Sequence, residues 1–297
     1  MLWENLREEE FEGAIERCGG LCVIPIGCLE KHGQHLPVGT DYMEAMHLTS
    51  LAAELEEAVI FPLGAWFGEV SCFHSFKNPE KARLRGCIGI KQELLLALLS
   101  EICAEIARNG FKKILIVNGH GGNSPMLKHF IRMQSYEAKD YAVLSASAFA
   151  FRETEPKNLI KIIEQRPRDF ENLTDGDMET LRRFAKTGTG GGHADVRETS
   201  LIFSYNESLV APDRYDAESG ISTAKTSHLE RAGIDCPNLW LANFPNSYEA
   251  IAPHGASRAI GDAMAKVSAE RLAKIFKLIK EDTACLEAAK LSAIAEL

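Results

Sequence analysis

The sequence predicts an α/β fold in which a mainly parallel sheet is covered by helices on both faces. Three observations carry this. Short apolar, β-branched runs alternate with longer segments of helical periodicity, the pattern of strand–helix units. The runs are continuously apolar, as strands buried on both faces are. Two of them also end in clusters of glycine, histidine and carboxylate residues, and open parallel sheets gather ligands at the carboxyl ends of their strands.

The elements follow in order along the chain. Leu21–Ile26 (LCVIPI), flanked by Gly19-Gly20 and Gly27, reads as the first buried strand. Tyr42–Glu56 carries apolar residues at helical spacing, and Val59–Leu63 reads as a second strand. Gln92–Arg108 is helical and stops at Asn109-Gly110. Ile114–Val117 is a third strand, Ser124–Gln134 a helix and Tyr141–Ser147 a fourth strand. Ala256–Lys280 is a long amphipathic helix. The polar stretch Glu153–Asp177 reads as an insertion or an interface arm. No repeat, low-complexity tract or linker stands out, so residues 1–297 are expected to form one domain.

Composition narrows the function classes. The 297 residues can bury a sizeable core. A net charge of −9 argues against nucleic-acid binding through a broad basic surface. The acidic N-terminus lacks the apolar stretch of a secretory signal, and no apolar run approaches the roughly 20 residues that span a bilayer. The expectation is a cytoplasmic protein with neither membrane nor nucleic acid as partner. The eight cysteines form no CxxC pair and read as reduced core thiols. Cys28 and Cys72 lie beside the polar clusters.

The first cluster runs from Glu30 to Asp41 and holds Glu30, His32, His35 and Asp41 in twelve residues. A loop after a strand lets such side chains converge. Imidazole nitrogen with carboxylate oxygen is a ligand set for Zn²⁺, Mn²⁺ or Fe²⁺. The alternative is a solvated polar loop with Asp41 as a simple N-cap. The second cluster is Asn118-Gly119-His120-Gly121-Gly122-Asn123. Its glycines suit close approach of backbone to a ligand, and the following helix could hold a developing oxyanion. The alternative is a tight turn with His120 on a backbone carbonyl. The third cluster, Thr187–Ser200, sets His193 and Glu198 behind a glycine run. A dinucleotide loop fails there, because no strand precedes it and no βαβ unit follows. Ser71 and His74 form a weaker fourth signal.

These residues carry a family resemblance. Val23 to Asp41 resembles the opening motif of the creatininase (creatinine amidohydrolase) family. Asn118–Asn123 resembles its second motif and His193–Ser200 its third, and Ser71 to His74 resembles a further family element. The likeness runs from about residue 15 to about residue 205. It implies a three-layer α/β/α fold, a centre of two divalent metal ions (Zn, Mn or Fe), and a homo-oligomer, often a hexamer built from dimers. It implies that Glu30, Asp41 and His120 hold one ion, and that His32 and Asp41 hold the other with Asp41 bridging. In creatininase proper a Glu two residues after the second-motif His completes the second site, and here that position is Gly122. Glu198 is the expected replacement, as ligand or as base. Creatininase also has a Tyr where this chain has Gly121 and a Trp where it has the glycine run, so creatinine is not the expected substrate. Two glycines in the second motif occur in other branches, among them a deformylase of flavin and deazaflavin biosynthesis and a peptidase that trims a redox-cofactor precursor.

The expected function is a metal-dependent amidohydrolase that uses a metal-activated water on a cyclic amide or formamide C–N bond of a small molecule. His193 is expected to move the proton, a role suited to a pKa near 6.5. His35, Asn118, Gly121, Gly122, Asn123, Ser71 and His74 are expected to support the ligands or touch the substrate. Two alternatives stay open. One is a deformylase of a phosphorylated pyrimidine-like intermediate, with the glycine loops cradling phosphate. The other is a non-catalytic, metal-binding family member.

Overall fold

The structure is a computed structural model that describes residues 1–70, 85–187 and 192–291. Ser71, Cys72, His74 and residues 188–191 of the glycine run lie outside the described residues. Four parallel strands form one sheet in the order β2-β1-β3-β4: β1 Leu21–Ile26, β2 Val59–Ile60, β3 Lys113–Asn118 and β4 Ala142–Ser147. The helices are α1 Phe11–Arg17, α2 Thr40–Leu55, α3 Gln92–Arg108, α4 Asn123–Met133, α5 Phe151–Thr154, α6 Pro156–Gln165, α7 Asp175–Thr187, α8 Val196–Asn206, α9 Ser227–Arg231, α10 Leu239–Asn243, α11 Arg258–Glu281 and α12 Ala284–Lys290.

Strand alternation makes the three layers. Leu21 and Val23 of β1 and Leu115 and Val117 of β3 enter one core with α2, α6, α7 and α11. Their neighbours Cys22, Ile24, Ile26, Ile114 and Ile116 enter a second core with α1, α3 and α4. Residues two apart on a strand share a face, so a fully apolar strand feeds both cores. Register then fixes where the loops emerge. Ile26 pairs with Asn118, and Asn118 pairs with Ser147, so β1, β3 and β4 end level along one edge.

Two expectations are corrected. The second strand stops at Ile60 rather than Leu63. Phe61 N still donates to Val23 O at 2.9 Å, but the next N–H on that side, Leu63 N, turns back to Phe61 O at 3.1 Å, which ends the pairing with β1. The stretch Glu153–Asp177 is not an arm. It folds into α5, α6 and the start of α7, and buries Leu159, Ile163 and Phe170 in the core with Leu181 of α7. Its polarity is the outer face of amphipathic helices, and Arg166 clamps it to α11 through Glu270 at 2.8 and 2.6 Å. Packing of α11 on α8 is close enough that a Cβ at Gly261 would lie 1.8 Å from Ser200 O. Among the described residues no helix is long and apolar enough to cross a membrane.

Candidate metal centre

The loops after β1 and β3 lie against the start of α2, and glycines permit this. A Cβ at Gly27 would lie 2.3 Å from Tyr42 N, and one at Gly119 would lie 2.3 Å from Asp41 O. Asp41 is the second residue of α2, with Gly39 at the N-cap, so it is not a simple N-cap. Its carboxylate turns toward the strand ends. Asn118 accepts from His120 N at 3.1 Å and donates to His120 O at 2.7 Å, fixing the backbone at His120. Asn123 donates to Gly27 O and Asn118 Oδ1 and accepts from Glu69 N, which ties three loops together. At the start of α8, Asp195 caps the helix by accepting from Arg197 N and Glu198 N. That turns Glu198 back so that its Oε2 takes the Ala194 N–H at 2.5 Å.

These elements bring the ionisable side chains to one point. His32 Nε2 lies 3.2 Å from Asp41 Oδ1 and 3.8 Å from Glu198 Oε2. His120 Nδ1 lies 2.9 Å from Asp41 Oδ2 and 3.3 Å from Glu30 Oε2. The two oxygens of Asp41 therefore face two different histidines. The other ring nitrogens all meet backbone carbonyls: His32 Nδ1 meets Glu30 O at 2.9 Å, His120 Nε2 meets Glu69 O at 3.0 Å, and His193 Nε2 meets Lys31 O at 2.7 Å. A carbonyl only accepts, so each of those nitrogens carries the proton. The nitrogens facing carboxylates are then lone pairs turned on anions unless a cation or a second proton lies between. Metal-binding histidines are oriented in this way.

The charge balance points in the same direction. Glu30, Asp41, Glu44, Asp195 and Glu198 are all buried, and Arg197 is the buried guanidinium among them. Burial holds Glu30, Glu44 and Glu198 above the ordinary carboxylate range. Burial also acts on Asp41, but His32 and His120 outweigh it and hold Asp41 well below that range. Burial alone would lower both imidazoles. The Asp41 carboxylate, with Glu30 and Glu198, overrides it and raises His32 to about 10 and His120 to about 9. Two imidazolium charges thus do electrostatically what a bound cation would do. The residues fit a metal centre. Among the described residues, three donor groups have their ligand atoms within 4.8 Å of one another: Cys28, Glu30, Asp41 and His120; His32, Asp41 and Glu198; and Glu30, His32 and His193.

The remaining expected residues fall differently. His35 touches no donor. Its Nε2 meets Ala194 O at 3.0 Å, and burial lowers it to about 4, so it is a neutral prop for the loop that carries His193. His193 is lowered to about 4 by burial and by His32, well under the expected 6.5. Its ring lies 4.0 Å from that of His32. The backbone N–H groups of Asn123 and Ser124, expected near an oxyanion, are spent on His120 O and Gly121 O. Gly121 and Gly122 differ in kind. A Cβ at Gly122 would lie 2.4 Å from His120 Nε2, whereas one at Gly121 would meet nothing within 4 Å. Four more groups meet the centre, of which only Cys28, beside the first cluster, stands out in the sequence. Cys28 Sγ lies 3.0 Å from Asp41 Oδ2. Glu44, one turn after Asp41, is fully buried beside Glu198 and could have been found from that spacing. Lys31 pairs with Glu218 at 2.6 Å, and Trp240 packs its edge on His193 at 5.3 Å. No local pattern announces either of these.

Comparison with known proteins points to one family. The sequence model described as Creatininase: Creatinine amidohydrolase matches residues 4–286. The chain is 24% identical over 219 residues to a creatinine amidohydrolase of Pseudomonas putida, covering 71% of this chain and 74% of that one. It is 31% identical over 128 residues to a mycofactocin precursor peptide peptidase of Mycobacterium tuberculosis, covering 40% of this chain and 47% of that one. A crystal structure of creatinine amidohydrolase superposes with a TM-score of 0.69 at 21% identity, covering 95% and 98% of the two chains, a likeness of fold. Other creatininase structures of the same fold are described as Zn–Zn type and as Mn.

Proposed function

The chain belongs to the creatininase family, and from that premise we propose that it is a metal-dependent amidohydrolase cleaving a non-peptide C–N bond of a small molecule. The observation that carries the reading is the division of Asp41. Its Oδ1 faces His32, with Glu198 beyond, while its Oδ2 faces His120, with Glu30 beyond. On this reading Glu30, Asp41 and His120 hold one divalent ion, and His32, Asp41 and Glu198 hold a second. Glu198 supplies the carboxylate that Gly122 lacks. Metal bound there would polarise the scissile carbonyl and lower the pKa of a water toward neutrality.

The protein groups then have separate tasks. His193 keeps its Nε2–H on Lys31 O, which leaves Nδ1 as the acceptor. A neutral imidazole fits a general base that takes the proton of the attacking water and passes it to the leaving nitrogen. With Asn123 and Ser124 engaged, a developing oxyanion would be met by bound metal, with the N–H groups of Gly121 and Gly122 as the further candidates. A cavity of about 170 Å³ adjoins His120 and is lined by Gly121, Ser124, Ser145, Ser147 and Phe151. Where creatininase has a Tyr, the open space at Gly121 leaves room for a substrate other than creatinine.

We read residues 1–297 as one such domain and expect a homo-oligomer, which light scattering would size. The activity is tested on protein loaded with zinc or manganese. Chelation should abolish hydrolysis of a panel of formamides, cyclic amides and short peptides, and the metal should restore it. Protein holding two ions that cleaves none of the panel, or only the peptides, overturns the reading.

A further inference from the structure

The two halves of the candidate centre are unequal, and Cys28 makes them so. It sits two residues past β1 with no exposed surface. Its Sγ lies 3.0 Å from Asp41 Oδ2 and 3.8 Å from Glu30 Oε2. Those are the same two oxygens that face His120 Nδ1 at 2.9 and 3.3 Å. Sulfur, two oxygens and nitrogen thus surround one point. A tetrahedral ion with bonds of 2.0–2.3 Å has donor–donor edges of about 3.3–3.8 Å. Two of the separations, 3.3 and 3.8 Å, fall in that range, two, 2.9 and 3.0 Å, fall short of it, and all four atoms lie within 4.8 Å of one another. Backbone packing aims the thiol. A Cβ at Gly68 would lie 1.9 Å from Gly27 O and 2.7 Å from the Cys28 Cβ, so this loop closes directly over Cys28. The group on the other side, His32, Asp41 and Glu198, offers three donors among the described residues.

We propose that Cys28 is a thiolate ligand that completes a four-donor position with Glu30, Asp41 and His120, which selects zinc over manganese. The inference rests on the metal centre proposed above. On binding, the thiol gives its proton to solvent and the sulfur takes up the ion, with no change of oxidation state. A thiolate makes the position softer than an all-nitrogen and oxygen one, which disfavours Mn²⁺. Four protein donors also close it, in the manner of a structural zinc site, while the three-donor position keeps room for water. The two ions therefore divide the work. The Cys28 position anchors Asp41, and the His32–Glu198 position keeps the place for the attacking water.

Cobalt(II) reports thiolate ligation through a near-ultraviolet charge-transfer band. Protein loaded with two equivalents of cobalt should show this band. Cys28→Ser should lose it, keep the second cobalt, and bind zinc at least about tenfold more weakly, the effect that loss of even an outer partner produces. Manganese uptake should not weaken, and Cys87→Ser should keep the band. X-ray absorption of the zinc-loaded wild type should find a Zn–S distance of about 2.3 Å, so the test does not depend on the variant folding. Two bound metals without the band or the sulfur, or a band that persists in Cys28→Ser, overturns the inference while leaving the metal centre standing. Failure to bind any metal overturns both.

Discussion

The strand-end loops and the segment 207–257 reach the same site by different means. The loops after β1 and β3 are short, buried and tied to one another: Asn118 and Asn123 hold His120 and Gly27, and Gly119 lies on Asp41. The segment 207–257 is mostly irregular, with short helices, and it meets the site through scattered hydrogen bonds and ring packing, with Tyr215 and Tyr248 against His35 and Trp240 against His193. Glu249 N donates to His193 O, Ser247 Oγ donates to Lys31 O, and Lys31 Nζ reaches Glu218 and Asn246 O. Strand ends locate donors to fractions of an ångström because register and two packed cores fix them. An irregular cover positions what must meet the substrate and can change without disturbing the donors. If this division holds, damage to the first region removes metal, and damage to the second leaves metal in place.

The largest test is His120→Ala. It should lose metal from the Cys28/Glu30/Asp41 side and lower turnover by more than about a hundredfold, as loss of a charge-stabilising group does. Elemental analysis and hydrolysis rates measure both, and a variant with full metal and full rate ends the assignment.

The next effect is on pH. In metal-free protein, His32 and His120 are raised from 6.5 to about 10 and about 9. Metal must displace these protons, so apparent zinc affinity should climb by about tenfold per pH unit for each proton displaced. The sign for stability is opposite. A raised folded pKa stabilises metal-free protein fully below about pH 6.5, and that stability is lost as pH passes 9 and 10. The gap in Tm between loaded and metal-free protein should therefore widen from pH 6.5 to 9 in differential scanning calorimetry. A constant gap would show that these imidazoles do not bind the ion.

Gly122→Ala comes third. Its new Cβ would press on His120 Nε2 and turn the ring from Glu69 O, so metal affinity should fall by about tenfold. Gly121→Ala meets open space and should bind metal as the wild type does. Equal affinities for the two variants would mean that the His120 orientation is not what holds the ion. The smallest effect belongs to the cover. Lys31→Met removes the Glu218 pair, which is only partly buried, and should cost about 1–2 kcal/mol in thermal or urea denaturation. Its metal content should be unchanged, and loss of metal here would erase the distinction between the two regions.

Much of the fold was legible. Apolar, β-branched runs gave three strands to within a residue or so, because strands buried on both faces leave a continuous signal. α5 to α7 were missed as packed structure. Half of an amphipathic helix faces water, and in Glu153–Asp177 the polar half dominates the composition. In the site, Glu30, His32, Asp41, His120 and Glu198 come together, yet His35, from the same twelve residues, turns to Ala194 O instead. Residue type fixes what a side chain can bind, while direction depends on the loop's path. Cys28 was visible only as a neighbour of the motif for the same reason. The Lys31–Glu218 contact spans 187 residues, and no local pattern encodes it.

The sequence by itself determined which groups could hold a metal and that two strand ends would present them, since strand periodicity and loop chemistry are local. Only the tertiary structure decided which way each side chain turns. It divided the oxygens of Asp41 between two histidines, set Cys28 on one side and Glu198 on the other, and crowded a side chain at Gly122 against His120 while leaving Gly121 open. Those outcomes depend on distances between segments far apart in the chain, and packing of the two cores on the sheet sets those distances.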